Sequence, residues 1–179
     1  YSSLVGVANG TSTSEELTKL QLLMSQENLT PANRPAVGPA LERSAQIGVP
    51  VVAIELPDGR IITGKTGDLL GASAAALVNT LKVLAEIPHE KPVLSPDALS
   101  PIQTLKTRYL GSKNPRLHTD EVLIALSATA ASNEDATLAL KQLPKLAGSQ
   151  VHSSVMLSSV DMRIFKKLFC DVTCEPKSI

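Results

Sequence analysis

Aromatic side chains are nearly missing from this chain. It has no Trp, two Tyr and two Phe in 179 residues. Modules that stack nucleobases on aromatic platforms are therefore excluded. An excess of either charge is missing too, since 17 Lys and Arg balance 17 Asp and Glu. A phosphate backbone calls for a basic face, so no nucleic-acid partner is expected. No apolar run reaches the roughly 20 residues of a membrane span, so no membrane partner is expected either. Two cysteines, Cys170 and Cys174, are too few for a secreted disulfide scaffold. No signal peptide is visible, and a cytoplasmic location is the expectation. The chain opens on Tyr1 and runs into "VANGTSTSEE", which reads as the interior of a longer protein.

What is present is the composition of a folded domain. Hydrophobic residues make up 43% of the chain, enough to build one sizeable core. Ser14 can cap a first helix, with Glu15 and Glu16 in its first turn and Leu17, Leu20 and Met24 at helical spacing. Pro31, Pro35 and Pro39 break it. A short helix over residues 40–47 ends at Gly48. Residues 1–48 thus read as a helical arm or linker, joined to an α/β domain at 49–179.

The character changes at Val49. "VPVVAIEL" and "RIITG" are β-branched runs around Asp58-Gly59, a strong hairpin signal. An Ala-rich helix follows, with Leu70, Ala74, Leu77, Leu81 and Leu84 on one stripe. Ser100-Pro101 is placed to open another helix, which Gly111 stops. Thr119 can cap the next, and Ser132 with Asp135 the one after. "QVHSSVML" alternates as a strand, with Ser153 on one face and His152 on the other. Ser158 and Asp161 open a last helix, and "DVTC" is a closing strand. This mixture predicts a three-layer α/β/α fold with a mixed sheet. A hairpin followed by a long Ala-rich helix is similar to the first elements of the cytidine-deaminase-like fold.

Three stretches have the residue types for chemistry. His118-Thr119-Asp120 is half of a zinc-deaminase signature, which needs His-x-Glu and then Pro-Cys-x-x-Cys. Here the acid is Asp, and Cys170 and Cys174 are separated by three residues. Four residues along a strand span about 13 Å, too far to chelate one ion. No metal site is expected, and His118 reads as a surface residue ahead of a helix cap. "YLGSKNP" places Gly111, Ser112 and Lys113 like the end of a phosphate-binding loop, but a helix precedes it and the upstream Gly is missing. The alternative is a Gly-capped helix end with Lys113 near its negative pole. His152 beside Ser153 invites a base and nucleophile, yet neighbours on a strand point apart. A structural histidine is the simpler reading. Lys65, Asp68 and Asp161 read as polar loop or cap residues.

The blocks "VVAIELPDGRIITG", "LKTRYLGSK", "EVLIALSATAASN", "LPKLAGSQVHSSVMLSSVD" and "DVTCEP" resemble the C-terminal region of a bacterial domain-of-unknown-function family. Its members are large cytosolic proteins, sometimes labelled ATP-dependent peptidases on little support. The resemblance implies a preceding part with a Gly-rich loop that could bind a nucleotide, while this chain itself holds no cofactor. It also implies a deaminase-like α/β/α domain here. Gly111, Ser112, Lys113, Gln150, His152, Ser153, Asp171, Thr173 and Cys174 match the family pattern, without assigned roles. His118 departs from it, as do Phe169 and Cys170, where the family typically has Gly and an aliphatic residue.

Three functional readings stand at this point. The first is an accessory or interdomain-site domain of a larger bacterial protein, with its own N-terminal domains or a second copy as partner. The second is a ligand-binding or enzymatic domain for an anionic small molecule or nucleotide, built from Gly111, Ser112, Lys113, His152 and Ser153. It requires Lys113 and His152 on one cleft. The third is zinc-dependent deamination, which requires His118 near both cysteines.

Overall fold

Asp58-Gly59 turns the chain as its residue types dictate. Gly59 takes a φ of 90°, and the Asp58 carboxylate accepts the Arg60 N–H at 3.0 Å. The flanking strands β1 (Val51–Glu55) and β2 (Ile61–Lys65) pair antiparallel, with Ile54 opposite Ile62. On its other side β1 pairs antiparallel with β3 (Gln150–Ser153), and β4 (Asp171–Cys174) extends the sheet parallel to β3. The computed structural model, which describes residues 1–178, is therefore an α/β domain with a mixed sheet in the order β2-β1-β3-β4.

Period-two alternation sends the strand side chains to two different layers. Val52, Ile54, Val151 and Val172 form the main core with α4 (Ala72–Leu84), α6 (Thr119–Ala130), α7 (Glu134–Leu140) and α8 (Ser159–Lys167). Small residues let α4 lie close to the hairpin: a methyl group added at Gly64 would overlap the Ala76 backbone. On the opposite face, Ala53 meets Ala36 and Ala40, the latter on α3 (Val37–Ile47). Arg34 fastens the same segment to the sheet, donating to Gln150 Oε1 at 3.0 Å and to the carbonyls of Val151 and Asp171. Both α3 and Arg34 belong to the stretch before Val49. α1 (Ser2–Ala8) lies by β4, and α2 (Ser14–Gln26) has no buried residue.

Several helix starts differ from expectation, mostly because another capping residue stands nearby. Thr13, not Ser14, caps α2, trading hydrogen bonds with Glu16 in a capping box. α5 (Pro96–Thr104) begins after Ser95, whose hydroxyl accepts the Ala98 N–H, so Pro101 lies inside the helix. Asn133 caps α7 in place of Ser132. His118 is the cap of α6, which leaves Thr119 as its first residue. α1 was not expected at all. Phe169 has a φ of 61° and is 77% exposed, which explains why a Gly suits that position in the family pattern.

Candidate functional site

A cavity of about 500 Å³ opens where three helices begin. Two links bring them together. An isolated parallel bridge joins Leu70 to Leu117, so the start of α4 meets the start of α6. The buried Asp161 on α8 then reaches Thr119, accepting its N–H at 3.0 Å and its O–H at 2.7 Å. All three helices thus direct their positive dipole ends toward one region.

The three starts are finished differently. α6 has Asp120 and Glu121 in its first turn, and Ser158 caps α8 through the Asp161 N–H. α4 begins at Gly71 with no side-chain cap and no acid in its first turn. Its Ser73 lines the cavity and is only 4% exposed.

Lys113 and Arg116 line the same cavity, together with Ser153, Ser158, His118 and Asp161. The loop carrying Lys113 is held from below. Residues 105–109 wind as one wide π turn after α5, a feature frequent at functional sites. That turn buries Lys106, whose ammonium donates to the Arg116 carbonyl and to Glu121 Oε1 at 2.8 Å. Glu121 Oε1 in turn accepts the His118 N–H at 2.9 Å.

His118 Nδ1 stands 3.5 Å from Asp161 Oδ2. That interaction raises the His118 pKa above the ordinary imidazole value, against an opposing effect of burial. Burial also pushes the Asp161 carboxyl up, but hydrogen bonds from His118 and Thr119 outweigh it and hold Asp161 below its ordinary value. The one carboxylate in this lining that faces the cations is therefore occupied by its own partners.

Of the expected ligand set, Lys113 and Ser153 come together here. Gly111 and Ser112 do not line the cavity; they form the exposed turn that delivers Lys113, with Ser112 N–H bonded to the Lys106 carbonyl. His152 is a correction. Strand alternation puts it on the opposite face of β3, beside Ala53, so the two-sided cleft with Lys113 does not form. There it is fully buried, with Nδ1 2.8 Å from Thr173 Oγ1, Nε2 3.1 Å from Glu175 Oε1, and the Tyr1 ring at 4.6 Å. Burial lowers its pKa despite Glu175. A neutral imidazole fits both contacts, donating to Glu175 and accepting from Thr173. Burial and the Glu175 hydrogen bond push the Tyr1 phenol up to about 12.

The cysteines are both buried, and burial pushes the Cys170 thiol up to about 11. Neither lines the cavity with His118. Among the described residues, no group of three or more His, Cys, Asp or Glu could hold a metal ion. Sequence reasoning missed Ser73 and Arg116, and took Asp161 for an ordinary cap residue. Ser158-x-x-Asp161 did announce a helix start, but nothing local announces a partner 42 residues away.

A family model described as "Domain of unknown function DUF1846, C-terminal" matches residues 32–178. The chain belongs to this family. The DUF1846 match begins at the 3₁₀ turn before α3 and takes in the whole sheet and cavity. Among its relatives are bacterial proteins carrying the name UPF0371. One from Corynebacterium efficiens is 52% identical over 160 residues, covering 89% of this chain and 32% of the relative. Another, from Streptococcus pyogenes serotype M5, is 41% identical over 176 residues, or 98% of this chain and 36% of the relative. The chain thus spans about a third of the length of the curated relatives it matches. These names assign no activity. No helix among the described residues is long and apolar enough to cross a membrane.

Proposed function

We propose that this domain binds a small anionic, phosphate-bearing ligand in the cavity at the starts of α4, α6 and α8. One observation carries the reading: the uncapped α4 start and its Ser73 share the cavity with Lys113. Free backbone N–H groups at a helix N-terminus suit a phosphate, and a Lys supplies the compensating charge. Arg116 adds a second cation on the same side, and Ser153 a second hydroxyl. A volume of about 500 Å³ leaves room for more than the phosphate, in the range of small-molecule sites.

The finer reading of the fold as cytidine-deaminase-like belongs with this proposal. It is supported by the opening hairpin and by α4 lying across it. The zinc chemistry is not part of it. We place the domain in the cytoplasm and within a longer chain, whose preceding part could supply a nucleotide or close the cavity.

The test is titration of the intact protein with inorganic phosphate and with adenosine 5′-monophosphate, followed by calorimetry. Lys113→Ala should weaken binding about tenfold, the worth of one charge-assisted hydrogen bond. No heat of binding with either probe, or equal affinity in the variant, counts against the proposal.

A further inference from the structure

The α1–α2 hairpin contrasts with the rest of the molecule because none of its second helix is buried and part of its apolar face is exposed. α2 is a well-finished helix, with a capping box at Thr13 and Glu16 and a Glu15–Lys19 pair on its outer side. At 100° per residue, Leu17, Leu20, Leu23 and Met24 fall within one arc about a third of the way round the helix. Glu15, Lys19 and Gln26 occupy the opposite side. The arc is only partly covered by the described residues: α2 buries no residue, Leu17 and Met24 are half-buried, and Leu20 and Leu23 are 41% and 59% exposed. Leu29, just beyond the helix, is 50% exposed. A groove of about 500 Å³ runs between Leu17, Leu20 and Met24 of this arc, Leu4 and Tyr1, with Leu23 outside its lining. Aligned leucines on a capped helix are the pattern by which one helix seats another.

The occupant follows from where this hairpin lies in the longer relatives. The DUF1846 C-terminal family match starts at residue 32, so α1 and α2 lie outside it, on its N-terminal side. They are nevertheless part of the streptococcal relative, whose similarity runs over 176 residues of this chain. That relative is about three times as long. The hairpin is therefore the junction between the C-terminal domain and the larger region that precedes it. We infer that the preceding region of the full-length protein docks an apolar helix or strand face onto Leu17, Leu20, Leu23 and Met24. The hairpin is then an interdomain clasp, and the partner of this domain lies within the same polypeptide.

The test uses the full-length protein. Amide exchange across residues 17–24 is compared between wild type and the double variant L20E/L23E, with Leu22→Glu as a control on the polar side of α2. The clasp predicts exchange about tenfold or more faster in the double variant, no change in the control, and β1 amides protected in all three. Should the double variant fail to fold, crosslinking of wild type at Lys19 decides alone. Crosslinks from Lys19 to the preceding region of the same chain support the clasp. Protection that grows with protein concentration, with crosslinks between two Lys19 residues, assigns the face to a second copy and overturns it. Equal exchange in wild type and double variant, with no crosslink to the preceding region, also overturns it.

Discussion

His118 and His152 each meet a carboxylate, Asp161 at 3.5 Å and Glu175 at 3.1 Å, on opposite faces of one sheet. Their chemistry is the same and their protonation tendencies are opposed. His152 has no exposed surface; loss of hydration dominates and lowers its pKa although the carboxylate is closer. The His118 side chain keeps 31% of its surface, so its carboxylate dominates and raises the pKa. Between these two histidines, loss of water outweighs the closer partner. The comparison separates two roles. The α3 face carries a network around a buried, neutral imidazole that joins Tyr1, β3 and Glu175. The α4 face carries an open cavity that gathers positive charge.

The largest effect comes from breaking the cavity-side pair at its acid. Asp161→Ala leaves the Thr119 N–H and O–H buried without a partner, since Thr119 has no exposed surface. Each orphaned group costs about 1–3 kcal/mol, so a loss of about 3 kcal/mol is expected in urea unfolding. The His118 resonance should titrate at lower pH in the same variant. Truncating the buried histidine comes next: His152→Ala removes a fully buried ring and its hydrogen bonds to Thr173 and Glu175, for about 2 kcal/mol.

The smallest effect, and the most discriminating, is on the pH dependence of stability. His118 has a raised folded pKa, so its contribution is complete below the ordinary imidazole value near 6.5. That contribution is lost as pH rises through the raised value. His152 has a lowered folded pKa, so the unfolded chain takes up the proton first and stability falls as pH drops below about 6.5. His118→Gln should therefore make stability rise more steeply with pH between 5 and 8, and His152→Gln less steeply. Denaturant unfolding across that range checks it. Slopes that change in the same direction would erase the distinction between the two pairs.

Much of the sheet was legible because its signals are local. Asp58-Gly59 names its own turn, and alternation in "QVHSS" already set His152 and Ser153 on opposite faces. The same alternation shows why grouping His152 with Lys113 failed: strand geometry assigns Ser153 alone to the cavity. Lys113 was legible through its Gly-Ser-Lys context, although the turn at Gly111 only carries it to the rim. Ser73, Arg116 and Asp161 were not, because their meaning comes from the Leu70–Leu117 bridge and the Asp161–Thr119 bonds, both formed between distant segments. His118 was misjudged by one residue of helix boundary. As the cap itself, it turns toward Asp161 rather than standing free in solvent.

Anion binding in the cavity beside His118 is the central claim. The decisive measurement is a phosphate titration of the intact protein, with both imidazoles followed by NMR at pH 6. The prediction is a saturable shift of His118, with the Ser73 amide moving alongside it and His152 silent, weakened about tenfold by Lys113→Ala. A silent His118, or a shift that Lys113→Ala leaves unchanged, would contradict it.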